Sequence, residues 1–259
     1  MTSLPAIFIS HGAPDLPLRQ GSAVSFLRSL HQQFPKPKAI LAISAHWHTD
    51  PVSVSLASAP KTIYDFSGFA PELYQLSYPV SGAPEVGDRI AQLLTEAGFE
   101  HHTDPSRGLD HGVWTPLLLA YPNADIPLTQ LSVEYHRDPV HHYNLGKVLE
   151  PLRHEGVLII GSGSATHNLY GFNPQYDAEA PDWVQQFDHW LAQTIAKQDW
   201  DSLLHYRKLA PYAEKNHPTE EHLLPLFTVL GAGGTGVQGT PLHRSYTYGA
   251  FSMAAYAFE

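Results

Sequence analysis

The sequence has no cysteine and few basic residues, and both shortages exclude whole classes of protein. A chain of 259 residues without cysteine forms no disulfide, thiolate-bound metal site or iron–sulfur cluster, and it has no cysteine nucleophile. Its 15 lysines and arginines are outnumbered by 25 acidic residues, which gives a formal net charge of -10. A protein surface that binds the phosphate backbone of a nucleic acid needs a net positive charge. We therefore expect no nucleic-acid partner.

Long apolar segments are also missing. No stretch approaches the ~18 apolar residues that a membrane-spanning helix requires, and the apolar run 6–9 is too short for the hydrophobic region of a signal peptide. The sequence thus predicts a cytoplasmic protein with no membrane partner. With 43% hydrophobic residues, 15% charged residues and no break in composition, we expect one globular catalytic domain, residues 1–259. The pattern leaves open whether the protein is a monomer or a dimer.

Short apolar segments alternate with amphipathic ones along the chain. The apolar segments have the length and composition of strands, at residues 6–10, 39–44, 52–56, 127–133, 157–160 and 246–258. The amphipathic segments predict helices at residues 84–97, 139–152, 183–195 and 220–230. Strands that alternate with helices favour an α/β sandwich with helices on both faces of the sheet.

Histidine is unusually frequent: the chain has 17, more than its lysines and arginines together. Three of them share a position in the predicted architecture. His11 follows the first strand, His46 follows the second, and His167 follows the strand 157–160 after a turn rich in glycine and serine. Ligands of open α/β sheets bind in the crevice outside the carboxyl ends of the strands, so these imidazoles can converge there. Because histidine is the commonest metal ligand, the pattern indicates a metal site.

A further ligand can come from the adjacent pair Glu221 and His222, predicted in the first turn of a helix that Thr219 caps. Consecutive helical residues point about 100° apart, because a turn holds roughly 3.6 residues. One member of the pair is therefore expected to face a shared metal and the other to contact a neighbouring group. The residues alone leave open which member does which.

Each of these histidines also has a purely structural interpretation. A single histidine after a strand is more often a hydrogen-bonded residue of the core or rim than a ligand, and the short HExxH spacing is absent. His111 lies in an Asp-His-Gly turn, which either presents its imidazole to a pocket walled by Trp114 or hydrogen-bonds to the backbone. The GxSxG elbow of serine hydrolases does not occur.

Seven short motifs extend over nearly the whole chain. They are Phe8-Ile-Ser-His-Gly-Ala-Pro14, Ile43-Ser-Ala-His-Trp47, Ile63-Tyr-Asp-Phe-Ser-Gly-Phe69, Leu73-Tyr74 with Tyr78-Pro79, Gly108-Leu-Asp-His-Gly112, Gly161-Ser-Gly163 with Thr166-His-Asn-Leu169, and His217-Pro-Thr-Glu-Glu-His222. In this order they resemble class III (LigB-type) extradiol ring-cleavage dioxygenases, in particular the DOPA 4,5-dioxygenase-like branch. The resemblance implies a three-layer α/β/α sandwich with a mixed, largely parallel central sheet.

The resemblance also implies a ligand set. It assigns His11 and His46 to the metal, with His222 as the third ligand and Glu221 as the alternative to His222. It places His167 at the site, either as a fourth ligand of a zinc-loaded resting form or as the acid–base group.

A function follows from the same resemblance. We expect an Fe(II)-dependent extradiol dioxygenase that opens the ring of a catechol, DOPA-like or otherwise substituted, with O2, and Zn(II) is an alternative occupant of the site. His167 and His111 would be the catalytic residues that move protons, and Trp47, Tyr64 and Phe69 would form aromatic walls for the substrate. Two alternatives stay open: a zinc-dependent hydrolase that uses the same histidines to activate water, and a non-catalytic zinc-binding protein.

Overall fold

An eight-stranded sheet forms the centre of the protein in the computed structural model, which describes residues 3–259. The strands are β1 (Ala6–Ser10), β2 (Ala39–His48), β3 (Val52–Ser55), β4 (His101–Asp104), β5 (Leu128–Val133), β6 (Val157–Gly163), β7 (Gly239–His243), β8 (Tyr246–Thr247), β9 (Phe251–Ser252) and β10 (Ala255–Phe258). Their order across the sheet is β4-β3-β5-β2-β6-β1-β10-β7, while β8 and β9 pair separately.

The four central strands are parallel. β5 pairs with β2, β2 with β6, and β6 with β1. β3 and β4 are parallel to each other, and β3 pairs with β5 in antiparallel orientation. At the opposite edge, β10 pairs antiparallel with β1, and β7 pairs antiparallel with β10. The sheet is therefore mixed and largely parallel, as the family resemblance implies, and the carboxyl ends of β1, β2 and β6 lie side by side.

Helices cover both faces of the sheet. They are α1 (Ser22–Ser29), α2 (Pro84–Glu96), α3 (His111–Ala120), α4 (Pro139–Leu149), α5 (Pro151–His154), α6 (Asp182–Ala196), α7 (Trp200–Leu204), α8 (Tyr206–Leu209), α9 (Ala213–Asn216) and α10 (Leu224–Ala232). Short 3-10 turns occur at Leu16–Leu18, Leu30–Gln32, Pro71–Gln75 and Leu169–Gly171. Within residues 3–259, no helix is long and apolar enough to cross a membrane.

Alternating side chains of the central strands pack into two separate cores. On β1, Phe8 belongs to the core that contains α4 and α10, whereas Ile7 and Ile9 belong to the core that contains α1 and α3. On β2, Leu41 belongs to the first of these cores and Ile40 to the second. Successive side chains of a strand point to opposite faces, so two cores require a layer of helices on each side. The predicted three-layer α/β/α sandwich is confirmed.

Three elements near the site residues differ from their predictions. The strand predicted at residues 157–160 continues to Gly163, so residues 161–163 belong to β6 and not to the turn before His167. β2 continues beyond residue 44, so His46 lies inside the strand and not after it. The helix predicted at residues 220–230 begins only at Leu224. Glu221 and His222 therefore lie in the turn before α10 and not in its first turn. Leu223, and not Thr219, is the N-cap of this helix, and Pro225, which lacks an amide hydrogen, occupies its first turn.

Two further predictions need correction, and two edge strands were missed. The last strand, residues 246–258, is interrupted, because Tyr248 and Gly249 adopt positive φ angles of 53° and 68° between β8 and β9. His111 is the first residue of α3 and does not lie in an isolated turn. The edge strands β4 and β7 were not predicted, since most of their residues are exposed or half-buried and leave no apolar pattern.

Candidate metal centre

Three histidines from distant parts of the chain meet at the carboxyl ends of the central strands. His11 directly follows β1, His46 lies near the end of β2, and His222 lies in the turn before α10. The Nε2 atoms of His11 and His46 are 3.1 Å apart, and one possible donor atom from each of the three residues lies within 4.8 Å of the others. Three imidazole nitrogens at this spacing can bind a single metal ion.

Backbone hydrogen bonds join the segments that carry these histidines. His11 donates its N–H to the carbonyl of Gly163 at 2.9 Å, and Ser164 donates its N–H to the carbonyl of His222, also at 2.9 Å. A Cβ atom at Gly163 would lie 2.0 Å from that His222 carbonyl oxygen. Only glycine therefore lets the end of β6 approach the turn closely enough to bring His222 beside His11.

Side-chain hydrogen bonds orient the rings of His11 and His222. The Nδ1 of His11 lies 3.0 Å from the hydroxyl oxygen of Ser162, whose own hydrogen is donated to the carbonyl of Gly112. The Nδ1 of His222 donates to Glu221 Oε1 at 2.9 Å. In both rings Nδ1 carries the hydrogen, which leaves a lone pair on Nε2. The Nε2 of His222 is buried and has no hydrogen-bond partner in the described part of the chain, which fits a metal ligand.

Burial favours the neutral form of these imidazoles. It lowers the pKa of His11 and of His222 well below the usual value, and the neighbouring histidines lower both further. Burial, followed by the charge of His111, lowers the pKa of His46 to about 3. Histidine binds metals through the lone pair of its neutral form, so the electrostatics and the geometry of the three residues agree.

His167 stacks on one member of this group. Its ring centroid is 3.4 Å from that of His222, the two planes are inclined by only 10°, and the ring of Phe251 lies 5.7 Å from it. Its donor atoms form a group with those of Glu221 and His222. Burial lowers the pKa of His167 to about 4. The structure thus brings His167 to the site that the sequence predicts for it.

His111 reaches the same place from the start of α3. Its ring centroid lies 4.0 Å from that of His46 and 5.4 Å from that of His11. Asp65 accepts hydrogen bonds from both the backbone N–H and the Nδ1 of His111, each at 2.9 Å. Sequence reasoning missed Asp65, although it lies in the motif 63–69. The available signal was a single carboxylate in an otherwise aromatic and polar segment.

A cavity of about 360 Å³ opens over the histidines. It is lined by His11, Gly12, Ala13, Pro14, His46, Phe69, His111, Ser164, His167, Leu169, Phe172, His222 and Phe251. Imidazoles combined with apolar side chains suit a small aromatic molecule that carries polar groups on one edge. Sequence reasoning missed Leu169, Phe172 and Phe251, because residues that follow no common pattern in the chain are brought together only by folding.

The three predicted aromatic walls lie in different places. Phe69 lines the cavity. Trp47 is buried, and its ring lies 5.1 Å from the guanidinium of Arg107. Tyr64 is partly exposed and donates its hydroxyl hydrogen to the carbonyl of Leu76 at 2.8 Å. Among residues 3–259, the cavity lining includes Phe69 but not Trp47 or Tyr64.

Comparisons with known proteins agree on one family. The sequence-family model named "Catalytic LigB subunit of aromatic ring-opening dioxygenase" matches residues 5–258. The chain is 46% identical over 255 residues to a 4,5-DOPA dioxygenase extradiol of Beta vulgaris, and this match covers 97% of this chain and 95% of that protein. A protein of the same name from Mirabilis jalapa is 40% identical, with the same coverage of both chains.

A solved structure is similar along the whole chain. The crystal structure of an uncharacterized protein from Escherichia coli K12 matches with a TM-score of 0.82 and 29% sequence identity. The match covers 98% of this chain and 99% of that chain.

Proposed function

The chain belongs to the LigB family of aromatic ring-opening dioxygenases and is an extradiol dioxygenase, and on this basis we propose its reaction and its site. The protein opens the ring of a catechol with O2 at a metal ion bound by His11, His46 and His222. The ring bond beside the diol breaks, and both oxygen atoms enter a muconic-semialdehyde-type product. The observation that carries the proposal is the convergence of three neutral imidazoles in a largely apolar cavity.

Fe(II) is the proposed active metal. Three protein ligands that leave positions open suit non-haem ferrous iron, and Zn(II) fits the same nitrogens as an alternative occupant. Bound ferrous iron would hold the catechol and O2 side by side and let electron density pass between them. The buried Nε2 of His222, which has no hydrogen-bond partner among residues 3–259, supports a metal at this position. Glu221 supports His222 as the third ligand, because its carboxylate already accepts the Nδ1 hydrogen of that ring.

His167 is the proposed acid–base group. Its ring lies against His222 in the cavity, where it can reach a substrate bound at the metal. With its pKa lowered to about 4 by burial, the ring is neutral near pH 7 and can accept a proton from a catechol hydroxyl. His111 also lines the cavity and would hydrogen-bond to the substrate through Nε2, because Asp65 occupies its Nδ1.

The proposed substrate class is a substituted catechol of the DOPA kind. Support comes from relatives named 4,5-DOPA dioxygenase extradiol in two plants and in Escherichia coli K12. Phe69 would contact the aromatic ring of the substrate directly, together with Phe172 and Phe251. Trp47 and Tyr64 would support the elements that surround the cavity.

The domain organisation, partners, location and oligomeric state are proposed from the sequence alone. We take residues 1–259 as one catalytic domain, of which residues 1 and 2 lie outside the described residues. The partners would be the catechol and O2, with neither nucleic acid nor a membrane involved. A cytoplasmic location and a monomeric or dimeric state stay predictions.

The test couples oxygen consumption to the appearance of a yellow ring-opened product. Apoprotein is loaded with Fe(II) under anaerobic conditions, mixed with DOPA, caffeate or protocatechuate, and then exposed to O2. We expect one O2 consumed per catechol in the Fe(II) sample, with Zn(II)-loaded protein as the matched control. Hydrolytic activity with zinc in the absence of O2 would favour the hydrolase instead. A metal-saturated protein that consumes no catechol would favour the binding protein.

A further inference from the structure

We propose that Asp65 is a positioning residue that holds His111 in the tautomer whose Nε2 lone pair faces the substrate. The inference deepens the proposed ring-opening function and rests on it. Asp65 is not a catalytic residue in this proposal, because it acts on the substrate only through His111. The segment that carries it also carries Phe69, so one excursion of the chain supplies both the positioning group and part of the cavity wall.

The two oxygens of Asp65 restrain two different parts of His111. Oδ1 accepts the backbone N–H at the first residue of α3, and Oδ2 accepts the hydrogen on Nδ1, each at 2.9 Å. A carboxylate at a helix N-terminus is stabilised by the free N–H groups of the first turn. The backbone and the ring of His111 are therefore fixed by one side chain, and the imidazole cannot rotate without breaking a hydrogen bond.

The carboxylate also selects the tautomer. Oδ2 of Asp65 lies 2.9 Å from Nδ1 of His111, while Oδ1 accepts the backbone N–H of the same residue. An ionised carboxylate only accepts hydrogen bonds, so Nδ1 must carry the hydrogen. In a neutral imidazole the other nitrogen then has the lone pair. Since His111 lines the cavity, Nε2 is available as an acceptor for a catechol hydroxyl.

A second contact limits what else Asp65 can do. Its Oδ2 lies 3.9 Å from Nδ1 of His46, which is too long for a hydrogen bond. Asp65 therefore hydrogen-bonds to the ring of His111, whereas its contact with the proposed ligand His46 is a longer electrostatic one. Glu221 makes the same kind of hydrogen bond, but to Nδ1 of the proposed metal ligand His222. Changes at Asp65 should accordingly alter turnover, and changes at Glu221 should alter metal affinity.

The variant Asp65→Asn tests the tautomer directly. A backbone N–H can only donate, so the amide oxygen of the asparagine must accept it, which turns the amide NH2 toward Nδ1 of His111. The imidazole must then accept on Nδ1 and carry its hydrogen on Nε2, where the lone pair is lost. We expect kcat to fall by about 10- to 100-fold, with KM for the catechol and the bound metal content changed less than threefold.

The tautomer is measured separately from activity. Histidine labelled with 15N in the diamagnetic zinc-loaded protein reports which ring nitrogen carries the hydrogen. We expect Nδ1–H at His111 in the parent and Nε2–H in Asp65→Asn. Asp65→Glu keeps the carboxylate and should recover part of kcat and the parent tautomer, while the exposed Asp88→Asn on α2 should change neither.

Two results would overturn the proposal. One is an Nε2–H tautomer at His111 in the parent protein. The other is a folded Asp65→Asn protein with the kcat of the parent. If Asp65→Asn fails to fold, the parent spectrum and Asp65→Glu still decide the question. A parent that cleaves no catechol with any metal would refute the ring-opening function instead, and the tautomer measurement would still stand on its own.

Discussion

His167 and His222 lie face to face, with ring centroids 3.4 Å apart and planes inclined by only 10°. The lone pair with which a neutral imidazole binds a metal lies in the plane of its ring. Two stacked, nearly parallel rings direct these lone pairs into separate planes, so a metal ion would be held by His222 without His167. This relationship supports the roles proposed above, with His222 as a metal ligand and His167 as the neighbour that exchanges protons with a bound substrate.

The variant His167→Ala tests this separation. We expect kcat to fall by about 10²- to 10⁴-fold, because one proton-transfer group is lost, while bound metal stays near the level of the parent. Steady-state kinetics and metal analysis of the same preparation measure both quantities. Metal content that fell together with kcat would instead make His167 a fourth ligand, and an unchanged kcat would remove its proton-transfer role.

His222 and Glu221 can be distinguished by metal affinity. His222→Ala removes a proposed ligand and should abolish stoichiometric metal binding. Glu221→Gln removes only the carboxylate behind that ligand and should weaken the affinity by about 10- to 100-fold. Competition against a chromophoric chelator measures both values. The opposite ranking, with Glu221→Gln the more severe, would make Glu221 the ligand.

Phe69 and Trp47 should differ in what their removal changes. Phe69 lines the cavity, so Phe69→Ala should raise KM for the catechol several-fold with a modest effect on stability. Trp47 is 6% exposed and lies outside the lining, so Trp47→Ala should lower the free energy of unfolding by ~3–5 kcal/mol. Kinetics and denaturant unfolding of both variants check this contrast. A selective rise in KM for Trp47→Ala at parental stability would return Trp47 to the substrate site.

His142 makes the stability of the protein sensitive to acid. It is fully buried on α4, it is not part of the cavity lining in the described residues, and burial lowers its pKa to about 4. An unfolded imidazole binds a proton near pH 6.5. The unfolded state thus gains the proton first, and the free energy of unfolding decreases as the pH falls from about 6.5 to about 4. The loss from this residue can reach about 3 kcal/mol.

Denaturant unfolding of metal-free protein between pH 7 and pH 4.5 measures this effect. His142→Asn keeps a donor for the carbonyl of Asp138 but cannot titrate, so its stability should depend less steeply on pH. The exposed His102→Asn should retain the slope of the parent. Equal slopes in all three proteins would mean that His142 does not cause the dependence of the unfolding free energy on pH.

The buried central strands were predictable because their signal is local. A run such as residues 39–44 is apolar whatever lies elsewhere in the chain, and strands alternating with helices restrict the fold to a layered α/β class. The candidate ligands were predictable for a related reason. His11 ends an apolar run at a glycine, and the motifs around His46, His167 and His222 keep the order of a known family.

The sequence by itself thus determined the layered fold, through apolar runs that are local in the chain, and the set of candidate histidines, through short motifs whose order resembles a known family. Only the tertiary structure decided that Nε2 of His11 and Nε2 of His46 approach to 3.1 Å, because this depends on β1 and β2 both pairing with β6. It also decided that Asp65 reaches His111 across 46 positions of the chain. Hydrogen bonds and packing between distant segments set these distances, and no local pattern encodes them.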